Sequence, residues 1–219
     1  MKNINHIVYT PKIAVATLDA KAYYTLASLL NEMNLSFESV SPDSDIQPNV
    51  QLILTTYVER RLIKSRKVIC LEDITGRDIN AKEKIFSELF SSGEDILLIG
   101  IDPGGRTGIV SLYRGREILD RVTLSLEKTL STLTDLIKNS QAKRKVIRIG
   151  DGNPEKANYI ASFLLKEFKE KIEIEIVNER GTSNMTNHTH FKEPKDLRSA
   201  RIISLRRGQR YQRDSIRYN

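Results

Sequence analysis

From residue 95 onward the chain presents three β-rich segments in a row: DILLIGID (95–102), GIVSLY (108–113) and REILDRVTLS (116–125), with only turn-length joints between them. Joints that short permit antiparallel neighbours only, because a parallel crossover needs a dozen or more residues. Arg114-Gly115 suits a tight hairpin turn. The pattern then changes to a helical segment (126–138), an apolar strand KVIRIG (145–150), a helix from Pro154 or Glu155 through Phe168, and KIEIEIVN (171–178). That last segment alternates apolar and charged residues, as an edge or half-exposed strand does. A final helix is expected from Asp196 to Arg207, ending at Gly208. The order β-β-β-α-β-α-β-α predicts a five-stranded mixed sheet, three antiparallel strands followed by two parallel ones reached through right-handed helical crossovers.

The preceding residues read differently. KIAVAT (12–17), FESV (37–40), QLILTT (51–56) and KVICL (67–71) are short strands. Between them lie a helix capped by Asp19, a turn-rich SPDSDIQPN, a short helix in VERRLIK, and then a helix NAKEKIFSELF (80–90). Near-continuous apolar strands alternating with helices predict a small parallel α/β layer covered on both faces. SSGED (91–95) is the best linker. The expected organisation is a small α/β domain over 1–92, a second α/β domain over 95–208, and an Arg-rich tail over 209–219.

The formal charge of +7 acquires meaning once it is located. Residues 1–94 carry 11 Lys+Arg against 12 Asp+Glu, and residues 95–219 carry 24 against 16. All the excess positive charge is therefore in the second part. Residues 197–219 alone hold seven arginines and one acid, Asp214. Such a surface attracts polyanions, although a solvated tail has the same composition. No apolar stretch approaches the roughly 18 residues a membrane span needs, and the N-terminal apolar run reads as a strand, not a signal peptide. A single cysteine, Cys70, excludes an internal disulfide and fits a reducing, cytoplasmic compartment. It lies in an apolar run and reads as a core residue.

Acids fall at the carboxyl ends of the strands that should run parallel: Asp102 after LLIGI, Asp151 after KVIRIG, and Glu179 after KIEIEIVN. Open α/β sheets bind ligands outside that edge. The final helix must begin near it, which returns Asp196 to the same place. Each acid also has an ordinary use, Asp102 and Asp151 in turns and Asp196 as a helix cap. Gathered together, like charges repel unless a cation sits between them, and Mg²⁺ or Mn²⁺ held by two or three carboxylates resolves the repulsion. Asp151 is nearer Asp102, since adjacent strands lie about 4.8 Å apart, while Glu179 has the longer reach.

Four blocks, LLIGIDPGGRTGIV, IRIGDGNPEKANYIASFLLKEF, IEIVNERGTS and KDLRSARIISLRRG, resemble in that order those of RuvC/YqgF-type members of the ribonuclease H-like superfamily. The resemblance covers residues 95–208. It implies a ribonuclease H-like fold and a two-metal phosphodiesterase acting on branched DNA or on RNA. Asp102, Glu179 and Asp196 would be its catalytic carboxylates, with Asp151 a further metal-ligand candidate. This chain has Asp151 in a glycine-rich turn where RuvC resolvases carry their second acid, and the resemblance favours Glu179 for that role. Candidate nucleic-acid contacts are Arg106, Thr107, Thr182, Arg198, Arg201, Arg206, Arg207, Arg210 and Arg213, since guanidinium forks suit phosphate. Tyr211 and Tyr218 could stack on bases.

Two other readings follow from the same residues. The chain could be a nucleic-acid-binding protein that keeps the fold without catalysis. Asp-Pro-Gly-Gly-Arg-Thr-Gly also resembles the first phosphate loop of the actin and sugar-kinase fold, but about 125 residues are too few for its two domains. His188 and His190 alternate in a polar loop with no third ligand nearby, a poor zinc site. The first domain could position substrate, pair two copies into a homodimer, or bind a partner.

Overall fold

The computed structural model describes residues 12–64, 67–74, 78–90, 93–179 and 194–211. The chain divides into two units, 1–91 and 92–219, each with its own sheet.

In the first unit, β1 (Ile13–Ala16), β2 (Phe37–Val40), β3 (Leu52–Thr55) and β4 (Val68–Cys70) form a four-stranded sheet, all parallel, in the order β2-β1-β3-β4. Both β1 and β3 are buried along their whole length, which is why their sequences are apolar without alternation. Helix α1 (Ala20–Glu32) starts at Asp19, whose carboxylate accepts from the backbone N–H of Lys21 and Ala22. Its buried residues Ala22, Leu26 and Leu30 recur every fourth position and so face the sheet. Helices α2 (Tyr57–Arg60) and α3 (Asp78–Leu89) complete the unit. Cys70 is buried, and that burial pushes its thiol pKa up, as expected of a core residue.

The second unit is built on β5 (Ile96–Pro103), β6 (Thr107–Tyr113) and β7 (Arg116–Thr123), a consecutive antiparallel meander. The β6–β7 turn places Arg114 and Gly115 at φ 51° and 75°, the left-handed pair that a two-residue hairpin needs. Helix α4 (Leu126–Asn139) leads to β8 (Arg144–Gly150), parallel to β5, and α5 (Pro154–Phe168) leads to β9 (Glu173–Val177), parallel to β8. Helix α5 begins at Pro154 as expected, and the structure adds the caps: Ser125 accepts from the Lys128 N–H at the start of α4, and Asn153 from the Lys156 N–H at the start of α5.

This mixed arrangement is the α/β fold expected from the order of elements, with one correction. The sheet has six strands, because Gln209–Arg210 forms β10 and pairs antiparallel with β9. The order is β10-β9-β8-β5-β6-β7. Strand β9 is therefore not the edge, and the Arg-rich end begins as a strand. No local pattern marks two polar residues as β. Pairing with the open edge of β9 and a bond from the Tyr211 N–H to the Ile174 carbonyl hold them there.

Helix α6 (Lys195–Leu205) lies on one face of this sheet. Leu197 and Ala200 pack with Val110, Leu112, Leu98 and Val122. The same face carries Arg148, whose guanidinium pairs with Glu175 at 2.9 Å and donates to the Ser204 carbonyl at 2.6 Å. Among the described residues no helix is long and apolar enough to cross a membrane.

Candidate active site

Three parallel strands, β5, β8 and β9, end together. Ile101 pairs with Ile149, and Gly150 pairs with Val177. Asp102, the residue after Ile101, consequently stands beside Gly150, about one strand spacing away. Asp151 and Glu179 follow at the same edge.

Glycines on the α6 face decide what can approach this edge. A methyl group at Gly100 would stand 2.1 Å from the Ala200 carbonyl oxygen, and one at Gly108 would stand 2.1 Å from the Asp196 carbonyl oxygen. Real side chains cannot occupy those positions, so α6 rests its backbone directly on β5 and β6. Asp102 pairs with Gly108 across these strands, and this seating brings Asp196 and Ser199 to Asp102. Gly150 makes room for Glu179 in the same way, a methyl group there meeting the carboxylate Oε1.

The electrostatics follow from that seating. Burial pushes the Asp102 carboxyl up to about 6, and the charges of Glu179 and then Asp196 push it the same way. A hydrogen bond with Ser199 and the charge of Lys195 oppose the rise. Asp102 therefore keeps its proton well above the usual carboxylate range when nothing else neutralises the edge.

The four acids differ in what holds them. Glu179 accepts from the Gly152 N–H at 3.1 Å, while its own N–H donates to Asp151 Oδ1 at 3.0 Å. Asp151 thus braces the backbone of the residue after Asn178. Asp196 Oδ2 accepts from Arg106 twice, from Nε at 2.8 Å and from Nη2 at 2.6 Å. Among the described residues no three His, Cys, Asp or Glu side chains gather as a metal-holding group. The donor chemistry at Asp102 and Glu179 still suits a divalent cation, whose charge would relieve the repulsion that raises Asp102.

The basic candidates are also dispersed. Arg106 is exposed on the turn between β5 and β6. Thr107 has no exposed surface and lies on the opposite face of β6 from Gly108, so as placed its side chain offers nothing to a polyanion. Arg201 is paired with Glu117, at 2.9 Å from both Nε and Nη2, and Arg206 Nη1 donates to the Asn178 carbonyl at 3.4 Å. Arg198 is half-buried, with its Nε lacking a hydrogen-bond partner among the described residues. Arg207 and Arg210 are exposed, and the Tyr211 hydroxyl is 3.0 Å from Ser162 Oγ. Thr182, His188, His190, Arg213 and Tyr218 lie outside the described residues.

Ser199 and Lys156 were not singled out from sequence. Lys156 Nζ donates to the Gly104 carbonyl at 2.9 Å and so holds the turn that carries Arg106. Its signal was its place in the first turn of α5, which points at the same edge. Ser199 had a weaker one, its position three residues after Asp196 on one helical face.

No family model matches the chain, and no curated protein matches it. Among solved structures, the chain is similar to a crystal structure of Aa-Ago with externally bound siRNA, at 10% identity and a TM-score of 0.28, over 78% of this chain. This chain spans 36% of the length of that one.

Proposed function

We propose that the second unit hydrolyses phosphodiester bonds in structured DNA or RNA, as a RuvC/YqgF-like nuclease using Mg²⁺ or Mn²⁺. The observation that carries the reading is Asp102: a carboxylate at the end of an apolar strand, pushed up to about 6 by burial and by Glu179 and Asp196 together. Perturbed acids at a strand edge are characteristic of functional sites.

In this reading Asp102 and Glu179 would hold the cation, and Asp196, which is paired with Arg106, would join them on release from that pair. When bound, the ion would supply charge neutralisation and Lewis acidity toward a phosphoryl oxygen. The chain's own groups set the geometry. The Gly152 N–H and the Asp151 brace orient Glu179, Ser199 orients Asp102, and Lys156 steadies the Arg106 turn. Arg106, Arg207 and Arg210 present guanidinium groups to the phosphate backbone, which makes binding salt-sensitive.

The pairing of Asp196 with Arg106 favours a second reading, a nucleic-acid-binding protein that keeps the fold without catalysis. Purified protein incubated with forked, junction and hybrid substrates distinguishes the two. Cleavage that requires Mg²⁺ or Mn²⁺ and disappears in Asp102→Asn, with substrate binding retained, supports the nuclease. Salt-sensitive binding without cleavage supports the second reading, and undiminished cleavage by Asp102→Asn removes Asp102 from the mechanism.

A further inference from the structure

We propose that Arg106 is a latch on Asp196 that a substrate phosphate opens, so that nucleic acid and divalent metal bind this site cooperatively. The inference rests on the nuclease reading of the site and adds how its third carboxylate is controlled.

The pair engages only one oxygen of the carboxylate, as the Arg201–Glu117 pair does, and what sets it apart is its place beside Asp102. Both bonds from Arg106 converge on one oxygen, Asp196 Oδ2, at 2.8 and 2.6 Å. A fork that matched the carboxylate would spread over both oxygens. The arginine comes from an exposed turn and its side chain is 55% exposed, whereas Asp196 is 24% exposed. The guanidinium is therefore the mobile partner and the carboxylate the anchored one, since α6 is seated on Gly100 and Gly108. An exposed pair of this kind contributes little stability, so a competing anion displaces it readily.

The turn itself is held in place independently of the pair. Lys156 Nζ donates to the Gly104 carbonyl, two residues before Arg106. Breaking the pair thus frees the side chain without dismantling the turn. With the guanidinium on Asp196, its positive charge offsets that carboxylate and occupies Oδ2. With the guanidinium on a phosphate, Asp196 regains its full charge beside Asp102 and Glu179, and the edge gains a ligand for a cation. A phosphodiester and a divalent ion then each favour the state the other binds, which is reciprocal coupling. Arg106 accordingly acts on the metal through Asp196 and is a positioning residue.

Mn²⁺ binding to the full-length protein, followed by the electron paramagnetic resonance of the free ion, tests this without recourse to activity. Arg106→Ala is expected to bind Mn²⁺ about fivefold more tightly than the unsubstituted protein, and Arg106→Ala with Asp196→Ala to lose that gain. Arg106→Gln, which keeps a side chain on the turn, should behave as Arg106→Ala does. A short oligothymidylate should tighten Mn²⁺ binding by the unsubstituted protein and leave Arg106→Ala unmoved. Equal Mn²⁺ affinity with and without Arg106 overturns the latch and leaves the metal reading standing. Absence of Mn²⁺ binding by every variant, with and without the oligonucleotide, overturns the metal reading itself.

Discussion

The carboxylate of Glu179 lies over the α-carbon of Gly150: a methyl group at that glycine would stand 1.9 Å from Oε1 and 2.8 Å from Ile203 Cδ1. One missing side chain on β8 thus admits an acid from the end of β9 to the flank of Asp102. Both atoms that would be struck are the ends of flexible side chains. Gly150→Ala should therefore fold, losing no more than about 2 kcal/mol, while moving Glu179 aside. Metal-dependent cleavage should fall by at least tenfold with the melting transition still cooperative. Retained cleavage in a folded variant would detach Glu179 from the chemistry.

Gly100→Ala is expected to behave differently, because the struck atoms are backbone. A methyl group there would meet the Ala200 carbonyl oxygen at 2.1 Å and the Ser204 amide nitrogen at 2.6 Å. Helix α6 must lift along its length, so the loss should reach about 3 kcal/mol or more. Urea denaturation of the two alanine variants side by side checks the contrast, and equal stability would show that α6 is not seated as described.

Stability should depend on pH through Asp102. Its folded-state pKa, about 6, lies above its ordinary 3.8, so the native protein holds an extra proton between those values. Stability therefore falls as pH rises through that window and stays lower above it. Asp102→Asn removes the penalty and should gain on the order of 2 kcal/mol at neutral pH, with little difference near pH 4. Urea midpoints measured across the window would show it, and parallel pH profiles would contradict it. Saturating Mg²⁺ should abolish the gain if the ion binds at Asp102.

The Arg148–Glu175 pair under α6 gives a test independent of function. Arg148 is 9% exposed and its partners are Glu175 and the Ser204 carbonyl. Arg148→Met leaves a largely buried carboxylate uncompensated and should lower stability by about 3 kcal/mol. Adding Glu175→Gln, which still accepts from the Gly208 N–H as Glu175 does at 3.0 Å, should recover part of the loss. A double variant no more stable than the single one would mean that the charge was not the source of the cost.

Much of the fold was legible in one dimension because its signals are local. Turn-length joints dictated the β5–β6–β7 meander, unbroken apolar runs marked β1 and β3, and Asp19 and Pro154 announced the starts of α1 and α5, Asp19 through bonds to residues two and three positions away. Strand polarity then placed Asp102, Asp151 and Glu179 at a common edge. What remained illegible depends on partners far apart in the chain. Strand β10 exists only because β9 offers an unpaired edge. Gly100, Gly108 and Gly150 look like unremarkable glycines until the register puts them under α6 and Glu179. The bond between Arg106 and Asp196 spans 90 residues, and no pattern of neighbouring residues encodes which cation reaches which acid. Local sequence determined which segments become strands and helices, and hence which edge collects the acids, because backbone preference and hydrophobic periodicity act over a few residues. Tertiary structure alone decided how closely those acids approach and which are already occupied, because only close packing brings groups so distant in the chain within bonding range.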